Sequence, residues 1–447
     1  MRIFLVSILL TTAAAAQDTR HVTEPAIPPA CATLKAGLKS EGATLADSDE
    51  KRLDTERIQA ALDECASGKA VVLKADGQKN AFLSGPLQLR RGVTVVIERG
   101  AILLASRDPR LYDLRPSACG TVDKQGRGCK PLIGGNGVAD AGVMGDGVID
   151  GRGGAKILGA DVSWWDLAEQ ARTGGSQNVP RILVLTHCDN FTLYRITLKN
   201  SPNFHVAYSG GNGFTVWGVK IWSPGRGARN ADGIDPGNST NVTITHSYIH
   251  SGDDNVAIKA GAGDPTTHMT ISHNHFYAGH GMSIGSETNG GASAIRVTDL
   301  SIDGADNGIR IKSNSSRGGL VHDVVYEDVC IRNSPNPIYM DSNYTASPRT
   351  RNDLMPQFTD ITLRNVRVEG GGKITLDGYD AAHRLGIVFD NMTLVDPAAF
   401  KLLAHHADVK LEGATNLKVM GDDVNVEGEP GKGSPNSCKD KFVAFPQ

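Results

Sequence analysis

An all-β solenoid, a parallel β-helix of stacked coils, is the fold class the sequence predicts. Three observations lead there. The last apolar position of successive strand-like segments recurs at Ile234, Ile258, Ile284, Ile311 and Met340, at intervals of 24, 26, 27 and 29 residues. A period in the twenties with turns between is the mark of coils that stack. The composition agrees: 52 Gly and only 5% aromatics, with short Val/Ile runs separated by Gly, Asn, Asp, Ser and Thr, suit many short strands and tight turns. Finally, the pattern runs on without a linker or compositional shift until it fades after Asn425. A length of 447 residues otherwise allows two or three domains, but a solenoid core grows with every coil. One domain, residues 17–447, is therefore expected.

The elements follow in chain order. Residues 1–16 (MRIFLVSILLTTAAAA) carry one early Arg, a short apolar run and small residues ending in Ala14-x-Ala16, the pattern of a cleaved secretory signal. The run is too short to span a bilayer, so a secreted protein with no membrane segment is expected. After a Pro-rich arm, Asp54 to Cys65 reads as an amphipathic helix with Ile58, Ala61, Leu62 and Cys65 on one face and Asp54 as N-cap. A short helix there can cap the exposed end of the solenoid core. Strand-like runs begin at Ala70–Leu73 and do not stop. An insertion from about Asp161 to Asn178 reads as helix or loop, and Trp164 and Trp165 in it read as packing residues.

Seven Cys is an odd number, so an oxidising compartment leaves at least one unpaired. Cys119 and Cys129 bracket a short polar loop and form a natural local bridge; Cys31 with Cys65 is the next pair. Cys188 and Cys330 lie in strand-like runs and read as buried thiols. A formal charge of −3 argues against nucleic acid as a partner while leaving room for a local basic patch. Capped ends suit a monomer.

Four polar clusters sit on consecutive coils: Asn230-Ala231-Asp232, Gly252-Asp253-Asp254, Gly279-His280-Gly281 and Arg310-Ile311-Lys312. Coils stack about 4.8 Å apart. Asp254 and His280 each lie four residues before a recurring Ile, so they fall on adjacent rungs, with Asp232 one rung to the other side. Arg310 and Lys312 flank inward Ile311 and both turn outward. Crowded carboxylates can supply a protonated acid and a base that activates water, the machinery of glycoside hydrolysis. Arg and Lys beside them suit an anionic substrate. Six clustered His invite a metal reading, but no carboxylate or Cys falls among them in a ligand spacing. Gly421-Asp422-Asp423 repeats the acidic tripeptide with no His or Arg-x-Lys coil after it and reads as a plain turn.

In order and spacing, these four motifs resemble those of the polygalacturonases of glycoside hydrolase family 28, with Ala231 where Thr is usual. The resemblance extends through SPNFHV (201–206), GDGVIDG (145–151) and the double Trp, and looks closest to bacterial secreted endopolygalacturonases. It implies a right-handed parallel β-helix and an inverting, cofactor-free and metal-free hydrolysis of α-1,4-linked galacturonate in demethylated pectin. On that likeness Asp253 matches the general acid, Asp232 and Asp254 the pair that activates water, and His280 the residue supporting the acid's protonation. Arg310 and Lys312 match the contacts to substrate carboxylates, Tyr344 the late substrate-contacting Tyr (Tyr339 lies close by), and Asn230 the motif's Asn. Other readings of the same residues are an exo-acting or rhamnogalacturonan hydrolase, a calcium-dependent lyase and a non-catalytic polysaccharide binder.

Overall fold

The computed structural model describes residues 17–345, 350–435 and 437–446; the expected signal segment lies outside them. Parallel strands stack into three sheets that wrap one continuous apolar core, and 34 strands join in one hydrogen-bonded network among the described residues. The first sheet contains, rung after rung, Val206–Ser209, Ile234–Gly237, Val256–Ile258, Met282–Gly285, Asn307–Lys312 and Asn336–Asp341. Ile258, Ile284, Ile311 and Met340 align in its interior and are fully buried, as the period predicts.

One register differs from expectation. Ile234 pairs with Val256, not with Ile258. The inward place two residues beyond Ile234 is taken by Pro236, which stacks on Tyr208, and a period counted on Ile alone cannot see a Pro.

The second and third sheets meet at a corner made by one residue per coil. In the long strands Thr266–Tyr277 and Ala292–Asp303, the pairing skips His273 and Asp299. These residues, with His246, Asp328 and Asn365, have φ between 50° and 56°, a left-handed conformation that Asn, Asp and His tolerate. His273 is therefore a corner residue, and its ring stacks on His246 at 4.9 Å. Inside, amide side chains replace backbone partners at other turns: Asn255 donates to the Ile249 carbonyl (3.0 Å) and accepts from the Gly281 N–H (2.9 Å).

The N-terminal helix spans Thr55–Glu64 and buries Ile58 and Leu62 over the core. Asp54 does not cap it through its side chain; the carboxylate instead accepts from Arg57 and from the Leu83 N–H. The strands begin one coil earlier than the sequence suggests, with Ala30–Lys35 pairing in parallel with Lys69–Lys74. In the insertion, helix Trp164–Gln170 opens with a Ser163/Asp166 capping box, and Ser176–Asn178 pairs antiparallel with Thr121–Asp123. Trp164 is fully buried against Tyr112 and Trp165 donates to the Ser201 carbonyl, so both pack.

Cys31–Cys65 and Cys119–Cys129 are bridged and Cys188 is a buried thiol. Cys330 is not a thiol: it bonds Cys438, 108 residues away. Its neighbours Val329 and Ile331 point into the core, so Cys330 faces outward, where the returning C-terminal tail covers it. That tail is also held by Lys441 on Asp299, by the Val443 carbonyl accepting from Tyr277, and by Phe442 under Arg332. Asp422 and Asp423 do not form a plain turn either. They open strand Asp422–Glu427, and Asp423 pairs with Arg384 and His406, both at 2.7 Å.

Candidate active site

Alternation within the strands of the first sheet turns Ser283, Arg310 and Lys312 out of the core, while the other polar groups sit in the turns just ahead of the strands. Asp232, Asp254 and His280 each stand two residues before a strand position, Ile234, Val256 and Met282, and those three positions are directly paired. The column is tied by backbone bonds, Gly233 N–H to the Asp254 carbonyl and His280 N–H to the Asp253 carbonyl, each 2.9 Å. Gly252 is required for a steric reason: a Cβ there would lie 2.2 Å from the Ala228 carbonyl oxygen. Just after it, Asp253 and Asp254 both reach the same cluster. The Asp253 carboxylate accepts from the Asp254 N–H at 3.0 Å.

One oxygen from each of Asp232, Asp253 and Asp254 lies within 4.8 Å of the others. Their surroundings differ. Asp254 is buried and holds three partners: Ser283 Oγ (2.7 Å) and Arg310 Nη1 (3.1 Å) donate to Oδ1, and Lys312 Nζ (2.8 Å) to Oδ2. Asp232 is buried with one oxygen lacking any hydrogen bond among the described residues. Asp253 is the open member, its side chain 21% exposed.

The charges separate accordingly. Burial opposes ionisation of Asp254, but Lys312 and Arg310 outweigh it and hold the carboxyl well below its ordinary range. Burial, with Asp235 and Asp253 adding like charge, pushes Asp232 well above its own. Crowding thus keeps a proton in the site while one carboxylate stays ionised.

His280 Nε2 stands 3.9 Å from Asp253 Oδ1, too long for a hydrogen bond, and its Nδ1 faces Asp306 at 3.5 Å. Arg310 Nη2 donates to Tyr344 Oη at 3.3 Å, and the Tyr344 ring lies under both Arg310 and Lys312. Tyr339 also faces Arg310, but its hydroxyl is committed to Asp341. Asn230 sits in a left-handed turn (φ 58°) and accepts from Gln177 of the insertion at 3.1 Å. Ala231 is fully buried, as its inward position implies.

The sequence reading missed Ser283, which bonds Asp254, and Asp306 beside His280. It also missed Asp235, buried one residue past Ile234 with both oxygens lacking hydrogen bonds among the described residues. Asp235 was legible in one respect, since outward parity places it on the same face. Lys259 stands 3.8 Å from Asp235.

Three carboxylates this close suggest a divalent cation. The donor set does not fit one: both oxygens of Asp254 are engaged by cationic side chains, whose charge a metal ion would have to oppose. An acid–base site fits the same geometry.

The family model of glycosyl hydrolases family 28 matches residues 67–433. The chain belongs to glycosyl hydrolase family 28. It is 41% identical to an endo-polygalacturonase of Pectobacterium carotovorum subsp. carotovorum, over 88% of this chain and 94% of that one. A polygalacturonase of Ralstonia nicotianae is 36% identical over 95% of this chain and 92% of its own. The solved polygalacturonase from Erwinia carotovora ssp. carotovora superposes with a TM-score of 0.80 at 41% identity, covering 88% of this chain and all of that one. As a family 28 member the chain is a glycoside hydrolase with a right-handed parallel β-helix, and its four polar clusters occupy one face of that helix.

Proposed function

We propose that this protein is a secreted endo-polygalacturonase, acting as one catalytic unit over residues 17–447 and as a monomer. It hydrolyses α-1,4-galacturonosyl linkages of demethylated pectin with inversion. The observation that carries this reading is the clamp on Asp254: Arg310 and Lys312 fix one carboxylate, and hold it well below its ordinary range, beside Asp232, which burial pushes well above its own. The names of the 41%- and 42%-identical relatives supply the substrate.

Asp253, the exposed carboxyl, gives its proton to the leaving glycosidic oxygen. Asp254 and Asp232 hold the attacking water, with ionised Asp254 as the base. Carboxyls packed this closely titrate as a set, so the proton that burial keeps on Asp232 is available to the cluster, and His280, 3.9 Å from Asp253, takes the place of the residue that supports the acid in the family. Arg310, Lys312 and Tyr344 meet the substrate carboxylate at the cleaved bond, with Arg310 and Lys312 also positioning Asp254. Inversion rests on the family. The carboxyl-separation rule that tells retaining from inverting sites is framed for two carboxylates. A third carboxylate takes this site outside that two-group rule, because water can be held between Asp232 and Asp254.

Asp253→Asn tests the assignment. The variant should keep its far-ultraviolet dichroism and thermal midpoint and lose about 10²–10⁴-fold in kcat. Near-normal turnover would remove Asp253 as the acid. Proton NMR of the first reducing ends released by the unsubstituted enzyme should show the β-anomer; the α-anomer first would mean retention.

A further inference from the structure

Outside the cleavage groove, the outer face of the third sheet carries a concavity of ≈ 480 Å³ lined by Glu50, Arg107, Arg152, Trp165, Asn200 and Trp222 among others. None of the groove's carboxylates or cations contributes to it. Trp222 ends strand Lys220–Trp222, which pairs with Thr197–Lys199 on the rung before and with Tyr248–His250 on the rung after. Alternation turns Ile221 into the core and Trp222 outward. Covering segments flank the spot. On earlier rungs Leu45 clusters with Leu83 and Leu104, and on the next rung Phe445 of the tail packs edge-on against His250 at 6.3 Å.

Both indoles are half-buried, each with one face packed. His250 stacks on Trp222 at 5.9 Å from the following rung, so the other face is turned toward the preceding rung, where Asn200 and the concavity lie. Trp165 rests on Gly154, where a Cβ would come within 2.6 Å of its ring, and its Nε1 donates to the Ser201 carbonyl at 2.9 Å.

The polar lining disfavours a charged sugar. Arg152 Nη1 and Nη2 both donate to Glu50, while Arg107 donates through Nη2 to Glu50 (2.9 Å) and through Nη1 to the Lys156 carbonyl (2.8 Å). All four terminal nitrogens are engaged, so neither fork is open to a second carboxylate. Asp47, exposed on the rim, would repel one. The groups that remain suit hydroxyls. They are the Asp47 carboxylate, Asn200 Oδ1, whose amide nitrogen is committed to Asp150 at 2.8 Å, and Arg152 Nε, buried without a partner among the described residues. A few polar groups beside aromatic faces, in a space of this size, are the make-up of a small-ligand site. The C–H face of a pyranose can lie on an indole while its hydroxyls reach the rim.

We propose that Trp222, Trp165, Asn200 and Asp47 form a second carbohydrate site, separate from the cleavage groove, that binds an uncharged hexopyranosyl unit. Occupied, it tethers the protein to a neutral glycan while the groove stays open, so binding there is independent of turnover.

Calorimetric titration of the full protein with β-1,4-galactotetraose and with cellotetraose tests the site. At least one should bind saturably at millimolar concentration, and Trp222→Ala should weaken that binding about tenfold or more. The same variant should keep the unsubstituted kcat/KM on polygalacturonate. Binding of neither tetraose would overturn the site, as would equal binding by Trp222→Ala. Displacement of the bound tetraose by trigalacturonate would place it in the groove and overturn the proposal as well. If Trp222→Ala does not fold, Asp47→Ala, at an exposed position, must weaken binding severalfold, and unchanged binding there overturns the assignment.

Discussion

Asp254 and Asp235 face the same groove and carry opposite electrostatic loads. Asp254 is buried but doubly clamped, and Lys312 and Arg310 hold its carboxyl well below the ordinary carboxylate range. Asp235 is buried without a hydrogen bond and rises from 3.8 to about 7. A carboxyl raised on folding contributes stability that is full below its unfolded value and lost as pH climbs through its folded one. The unsubstituted protein should thus lose thermal stability between about pH 4 and pH 7 through this group. Asp235→Asn should flatten that decline, with its midpoint gaining about 2 °C or more over the unsubstituted protein at pH 8 relative to pH 5. Parallel pH profiles for the two proteins would show that Asp235 is not held neutral by the fold.

At this scale the sequence was informative where chemistry repeated. Asp232, Asp254 and His280 recur at matching places before strand positions, so their convergence could be read from spacing. Ser283 carries no such repeat; a lone Ser in a strand has no pattern that distinguishes it from a solvated residue.

Among the elements, coil length was legible, while the residues that make the corners and the long-range closure were not. Polar corner residues such as His246, Asp299 and Asn365 punctuate the apolar runs, and their left-handed φ explains why Asn, Asp and His fill those places. The Cys330–Cys438 bridge depends on a tail returning across the outer face, which no local pattern announces, although the outward parity of Cys330 was visible between Val329 and Ile331. Opening it should matter, because it closes a loop of 108 residues. Cys438→Ser is expected to cost about 2–5 kcal/mol, read as a lower denaturation midpoint with activity at low temperature retained. An unchanged midpoint would mean that the contacts of Lys441, Phe442 and Val443 hold the tail without the bridge.

Over the whole molecule, stacking converts a linear list of motifs into a surface. Each coil contributes one or two outward groups, and parallel register brings groups 22 to 29 residues apart in sequence to neighbouring rungs. Cations and carboxylates are interleaved from Arg181 to Lys312, and acidic side chains follow at Asp341 and Asp377. The groove is therefore polar from end to end, and the proposed cleavage point is where the two cations clamp Asp254. That clamp is also why the three carboxylates read as acid–base machinery rather than as a calcium cluster.

A digest of polygalacturonate in excess EDTA tests this central claim most directly, with reducing ends, ultraviolet absorbance of unsaturated products and viscosity followed together. Reducing ends should rise without that absorbance while viscosity collapses early, the outcome of metal-independent internal hydrolysis. Absorbance that appears only when calcium is restored would contradict the account and turn Asp232, Asp253 and Asp254 into metal ligands.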